Sequence, residues 1–458
     1  MPEVLTYLKQ REFDNWLTGY DSREFYQLSQ QLFVDWSQQT NRKTPLKILL
    51  AEKDPVRFLA SFVAAVAANC QVFLCNPNWV EQEWHEVFNL VQPDLILGDL
   101  PVYIPQTSLK NDGNNGAKIM IPTGGTSGKV RFAIHTWETL IASVRAFKQY
   151  FGEQAINSFC VLPLYHVSGL MQFIRSFTTA GKLVILPFKS VKEGVKNIDP
   201  KEFFISLVPT QLAGLLNPES ATWLPHFKAV LLGGAPAWAE LLEQARNYHI
   251  PLALSYGMTE TASQIVTLKP EAFLRGNNSS GQVLPHAQLT IQDAIGKQLG
   301  ANQIGIITIK SDSLMLGYYP QFLMNHSYFQ PDDLGFLDEQ GYLTIVGRNS
   351  NKIITGGENV FPAEVEAAIQ ATQLVIDVCV IGISDLHWGQ AVTAIYVPRT
   401  EAVSQELLKL LVEDKVSKYK QPKYWLRVES LPRNYQGKVN IEELKKLVNI
   451  SLNSLTIA

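Results

Sequence analysis

The chain has 458 residues, too many for one core and enough for two or three domains. Hydrophobic residues make up 46% and charged residues 18%, which excludes a disordered chain. Thirty-nine Lys and Arg against 42 Asp and Glu leave a net charge of −3, giving no electrostatic case for nucleic acid or an anionic membrane.

Leu46 to Leu50 reads as a strand, followed by an Ala-rich helix and a second strand from Gln71 to Cys75. The most apolar stretch, Phe58 to Cys75, is broken by Asn69 and Gln71, so it is expected to be a buried helix and strand and not a membrane span. No basic run precedes an apolar one at the N-terminus, so no signal peptide is expected. Four cysteines (Cys70, Cys75, Cys160 and Cys379) lack metal-ligand spacing and read as buried thiols of a cytoplasmic protein.

Strands return at Phe203 to Val208, before a helix near Pro209, and at Phe227 to Leu232, before another. Apolar strands alternating with helices imply mostly parallel sheets covered on both faces, with ligands at the carboxyl ends of the strands. The glycine-rich segments fall there. After about residue 348 the texture changes to a helix (Phe361 to Gln370), two alternating strands (Leu374 to Ile383 and Ala391 to Pro398), an amphipathic helix (Ser404 to Lys418), a strand (Tyr424 to Val428) and a last helix from Asn440. The fold class is therefore α/β, with a large domain over 1–348 and a small, mobile α+β domain over 349–458.

Four stretches carry chemistry. Thr123, Gly124, Gly125, Thr126, Ser127, Gly128 and Lys129 form a loop of hydroxyls and glycines suited to phosphates. It is not an NTPase P-loop, because position 123 is Thr and Val130 follows Lys129. Gly233, Gly234, Ala235 and Pro236 make a tight turn at a strand end. In Ser255, Tyr256, Gly257, Met258, Thr259, Glu260 and Thr261, a carboxylate beside a hydroxyl can hold Mg²⁺ through oxygen. Lys438, in Pro432-Arg433-Asn434-Tyr435-Gln436-Gly437-Lys438, lies on a loop twenty residues from the end.

In this order and spacing the segments resemble the adenylate-forming superfamily of acyl-CoA synthetases, firefly luciferase and peptide-synthetase adenylation domains. The resemblance implies that the Thr123 to Lys129 loop wraps the β- and γ-phosphates and that Gly234, Ala235 and Pro236 lie beside adenine. Ser255, Tyr256, Gly257 and Met258 belong to the same nucleotide site, with Tyr256 against the base. Thr259 meets the α-phosphate and Glu260 the magnesium. Asp333 and Arg348 match the residues at the ribose, and Ser350 stands at the hinge. Gly356 and Gly357 line the pantetheine tunnel, and Lys438 drives adenylation. Two departures stand out: Arg131 replaces an expected lysine after the phosphate loop, and Ser350 and Asn351 replace an acidic hinge residue.

The substrates so implied are ATP with Mg²⁺, a carboxylic acid and coenzyme A, with no permanently bound prosthetic group. Tyr165 and His166, in Val161 to Leu170, wall the acid pocket by resemblance to CoA ligases for a dianionic aryl acid. Gly257 belongs to the same acid pocket, and a second carboxylate left on such an acid needs a buried cation or donors, for which Arg175 is the candidate, with Gln211, Ser263 and Gln264 as further donors. A ligase for another aryl or short-chain acid, an enzyme loading a carrier protein, and a silent binding homologue stay open as alternatives. So does the choice between monomer and homodimer.

Overall fold

A computed structural model of the chain describes residues 3–39, 45–99, 117–124, 130–192, 198–217, 222–321, 328–349, 351–355, 358–385, 388–416, 418–433 and 438–455. The chain forms two compact units. The first holds Met1–Pro236, Gln244–Leu289 and Ile309–Phe329; the second holds Ala237–Glu243, Thr290–Thr308 and Gln330–Ala458.

Two sheets build the first unit. One runs in the order Leu95–Leu97, Lys47–Leu50, Gln71–Leu74, Lys118–Gly124, Val130–His135. Its first four strands are parallel and the last pair is an antiparallel hairpin. The other has eight strands, of which Asn157–Cys160, Phe203–Leu207, Ala229–Leu232 and Leu252–Met258 are parallel neighbours. Their residues are mostly apolar, and Ala229–Leu232 is wholly so and fully buried, as in a parallel sheet covered on both faces.

The Ala-rich segment is the helix Pro55–Ala67, capped by Asp54, whose side chain accepts from Arg57 N at 2.8 Å. Small side chains let it lie buried along almost its whole length. Among the described residues no helix is long and apolar enough to cross a membrane. Trp16, Phe25, Phe173 and Phe177 interlock beside it, with Phe173 and Phe177 stacked at 5.2 Å and Trp16 edge-on to Phe25 at 5.5 Å. The four cysteines are buried and unbridged.

In the second unit the strands Glu358–Val360, Ile353–Thr355, Gly389–Pro398 and Val375–Asp385 form a sheet, and Tyr424–Arg427 adds in parallel beside Gly389–Pro398. Helices Pro362–Gln370, Gln405–Glu413 and Ile441–Leu455 accompany it. The helix expected over Ser404 to Lys418 is shorter, because Ser404 is its cap (Leu407 N donates to Oγ at 3.2 Å) and the chain turns at Asp414 and Lys415.

The hairpin of Asp333–Leu337 and Leu343–Arg348 also belongs to this unit, although the change in sequence texture comes after it. Packing explains the difference. A Cβ on Gly347 would meet the Phe361 ring at 3.5 Å, so the hairpin end rests on the start of the Pro362–Gln370 helix.

Candidate active site

The phosphate-loop segment is flanked by two antiparallel strands. Thr123 pairs with Arg131 and Gly124 with Val130, and the Glu86 carboxylate accepts from Val130 N at 3.3 Å. Gly125, Thr126, Ser127, Gly128 and Lys129, between these roots, lie outside the described residues.

Strand Leu252–Met258 begins parallel to Ala229–Leu232, then leaves it to pair antiparallel with Ser263–Thr267. This brings two motifs side by side. A Cβ on Gly233 would come within 2.7 Å of Ser255 Oγ, and Gly234 turns the chain at φ +81°. Ala235 and Pro236 follow on the surface. Between the paired strands Thr259–Thr261 make one 3₁₀ turn, and Ala262 and Ser263 take positive φ to reverse the chain. Gly257 sits at the bulge, where a Cβ would collide with Ser263 O at 2.2 Å; Tyr256 beside it is half-buried.

The turn aims Glu260 inward, where it is 8% exposed. Thr123 Oγ1 donates to its Oε1 at 3.3 Å, so the hairpin of Thr123 and the Glu260 turn converge. Tyr318, which the motif reading missed, donates to the same oxygen at 2.7 Å. Burial, and then the Glu260 carboxylate, hold the Tyr318 phenol well above its usual range, so it stays protonated and donates.

His135, also missed, lies under the turn. It is fully buried, its Nε2 donates to Thr259 O at 2.8 Å, and its Nδ1 is 3.0 Å from Thr139 Oγ1. Burial lowers its pKa from 6.5 to about 4, partly opposed by the bond to Thr259. As pH falls below 6.5 the unfolded chain takes up this proton before the folded one. Stability is therefore lost between pH 6.5 and about 4, by on the order of 3 kcal/mol from this group, and levels off below. His286 is lowered to the same range and adds to the acid slope. The expected result is a shallower decline of melting temperature over this interval in His135→Gln; parallel slopes would remove His135 as a cause.

The acid-pocket candidates lie on and beside the helix Val167–Thr178, with His166 at its cap position and the Tyr165 ring 4.6 Å from the His166 ring. Arg175, on the same helix, is 2% exposed. Its Nη2 donates to Ser263 Oγ at 3.0 Å and to Gln264 Oε1 at 3.1 Å, which brings three of the candidates together. Phe147 lies 4.2 Å beneath the guanidinium, and among the described residues no carboxylate pairs with it. Burial draws its pKa down to about 9, so at neutral pH it remains a cation. Nearby on its helix, Gln172 keeps a buried Oε1 without a partner. Gln211 serves its own helix: its Oε1 accepts from Val208 N at 3.2 Å at the start of Pro209–Leu215, leaving only its amide nitrogen to donate elsewhere.

In the second unit Asp333 and Arg348 face each other across the hairpin, with Arg348 Nε 3.5 Å from Asp333 Oδ1. Lys438 is exposed. Its loop is closed at the root by the bridge between Arg433 and Val439 and by Asn440 N donating to Pro432 O at 2.8 Å. Arg433 is also paired to Asp377. Ser350, Gly356 and Gly357 lie outside the described residues.

The chain is similar to known proteins. The model of the AMP-binding enzyme family matches residues 108–319, and that of the AMP-binding enzyme C-terminal domain matches 364–438. A 2-succinylbenzoate–CoA ligase of Listeria innocua is 31% identical over 430 residues, 88% of this chain and 89% of the relative. The chain belongs to the AMP-binding enzyme family. Within it, a 2-succinylbenzoate–CoA ligase of Bacillus velezensis is 35% identical over 332 residues, 71% of this chain and 68% of that one. Among solved structures, the o-succinylbenzoate CoA synthetase of Bacillus subtilis with its acyl-adenylate intermediate superimposes with a TM-score of 0.80 at 26% identity, covering 96% of this chain and 97% of the other. The same enzyme in complex with ATP and magnesium gives 0.78 at 26% identity, covering 96% and 99%. The mixed α/β architecture read from the sequence is that of this family.

Proposed function

We propose that this AMP-binding enzyme joins 2-succinylbenzoate to coenzyme A in two steps, as a reaction of menaquinone or phylloquinone biosynthesis. In the first, the succinyl carboxylate attacks the α-phosphorus of ATP and pyrophosphate leaves. In the second, the CoA thiol attacks the acyl carbonyl and AMP leaves, giving the thioester. The observation that carries the choice of acid is Arg175, a buried cation with no carboxylate partner among the described residues, hydrogen-bonded to Ser263 and Gln264. Burying a guanidinium against an aromatic ring is costly unless an anion offsets it. The ring carboxylate of 2-succinylbenzoate, which stays ionised throughout, is such an anion.

The other roles follow the superfamily resemblance. Thr123 and Gly124 begin the phosphate loop, and Gly234, Tyr256 and Thr259 line the nucleotide. Asp333 offers the ribose a carboxylate that can accept from both hydroxyls, and Arg348 beside it is positioned by the 3.5 Å contact. Glu260 suits a hard cation: both donors reach Oε1, and among the described residues none reaches Oε2. No group of three or more His, Cys, Asp or Glu placed to hold a metal ion is present among those residues. Glu260 would hold magnesium through oxygen, and the bound ion would offset phosphate charge. Lys438 supplies an ammonium to the carboxylate and α-phosphate oxygens in adenylation. The functional division of the chain falls at 348/349, with Ser350 as the hinge, and Gly356 and Gly357 serve the CoA step.

The test is pyrophosphate release from ATP with 2-succinylbenzoate, benzoate, 4-hydroxybenzoate and octanoate, each with and without CoA. Release confined to 2-succinylbenzoate, with a CoA thioester as product, is the expected result. Release with another acid would keep the adenylate chemistry and remove the quinone assignment. Release without any CoA thioester would favour transfer to a carrier protein.

A further inference from the structure

A stretch outside every motif, Ser313–Tyr319, joins the two elements that meet at Glu260. On one side it runs antiparallel to the strand Val130–His135, with Ala133 bridged to Tyr318. Leu316 N donates to Ile134 O at 2.8 Å, Ile134 N to Gly317 O at 2.9 Å and Tyr319 N to Phe132 O at 2.9 Å. On the other side it holds the 3₁₀ turn. Met315 N donates to Glu260 O at 2.9 Å, and the fully buried Ser313 donates through Oγ to Thr261 O at 2.9 Å. Backbone bonds on both sides leave the Tyr318 side chain little freedom, and its hydroxyl meets Glu260 Oε1 at 2.7 Å. The Arg131 guanidinium lies 5.8 Å from the Tyr318 ring centre, so the phosphate hairpin touches the same tyrosine.

A carboxylate has two oxygens and can rotate to offer either. Here Tyr318 and Thr123 both donate to Oε1, the tyrosine at the shorter distance. We propose that Tyr318 is a positioning residue for the magnesium carboxylate, fixing the rotation of Glu260 so that Oε2 is the oxygen presented to the metal. The inference rests on the reading of Glu260 as the magnesium ligand given above. It adds a residue that acts through Glu260, and it assigns a function to the Ser313–Tyr319 stretch. A tyrosine serving only to fill space would keep its contribution without the hydroxyl. One serving the metal would not, because hydrogen-bonded partners of metal ligands set ligand orientation and basicity.

The experiment is calorimetric ATP binding to the wild type, Tyr318→Phe and Glu260→Gln, first in excess EDTA and then across a magnesium titration. Phenylalanine keeps the ring and its packing and removes only the donor. The expected result for Tyr318→Phe is a half-saturating magnesium concentration raised roughly tenfold or more, with metal-free ATP affinity and melting temperature unchanged. A wild-type magnesium midpoint in Tyr318→Phe, with a shifted one in Glu260→Gln, would overturn the role of Tyr318 and leave Glu260 as the ligand. No shift in either variant would remove the magnesium reading of Glu260 and the inference with it. An equal loss of ATP affinity with and without metal would make Tyr318 a structural residue only.

Discussion

Lys438→Ala is expected to lose adenylation by on the order of 10²–10³-fold while still forming thioester from preformed acyl-adenylate and CoA. Negative charge gathers on the acid and the α-phosphate as they meet, and a fixed ammonium offsets it at the moment it develops. When a thiol displaces AMP from a mixed anhydride, charge develops on the carbonyl oxygen and the departing phosphate, and no second carboxylate-to-phosphate encounter has to be offset. The lysine itself is exposed, but its loop does not hang free at the root: Arg433 and Val439 bridge, and Leu431, Val439 and Leu444 join the apolar cluster beneath the sheet. The variant should therefore fold normally. Single-turnover measurement of each half-reaction checks the split, and equal losses in the two steps would sink the assignment of Lys438 to adenylation alone.

The second large effect is expected at Arg175. Replacing it with methionine removes a cation that is buried against Phe147 without a carboxylate to meet it. In the absence of substrate, relief of the buried charge opposes the loss of the two hydrogen bonds to Ser263 and Gln264, so the melting temperature should change little. With 2-succinylbenzoate the outcome reverses. The ring carboxylate then has no cation, and kcat/KM should fall by roughly 10²-fold or more, the cost of leaving a buried charge unpaired. For 4-oxo-4-phenylbutanoate, which lacks the ring carboxylate, the wild type and the variant should differ little. Comparing the two acids on the two enzymes separates charge recognition from general damage, and equal losses on both acids would discard the carboxylate pairing. A substrate-specific activity loss at unchanged stability is the mark of a group kept for function.

The sequence was informative where chemistry is local. Glycines and hydroxyls crowd into Thr123 to Lys129, the composition expected of a loop that wraps phosphate with its own backbone. Thr259 and Glu260 are adjacent because one turn presents both. Strands such as Ala229–Leu232, buried on both faces, announce themselves as unbroken apolar runs. What could not be read depends on contacts far apart in the chain. Tyr318 reaches Glu260 across 58 residues and His135 reaches Thr259 across 124, and neither stands in a motif. The one local sign at Tyr318 is a Gly-Tyr-Tyr-Pro run after apolar residues, which by itself reads as a turn. Arg175 could be singled out as an arginine in an apolar stretch; that Phe147 lies beneath it could not.

The Gly257 bulge has a consequence for how this enzyme could change its diet. A methyl group there collides with the backbone of Ser263, and Ser263 Oγ is one of the two partners that hold the Arg175 guanidinium. A mutation at 257 thus disturbs the residue proposed to meet the acid's second charge as well as the wall it was aimed at. Laboratory selection for new acids should find few survivors at this codon alone. Accepted variants there should arrive with a compensating change at 175, 263 or 264, so that acid preference shifts in coupled jumps instead of single steps.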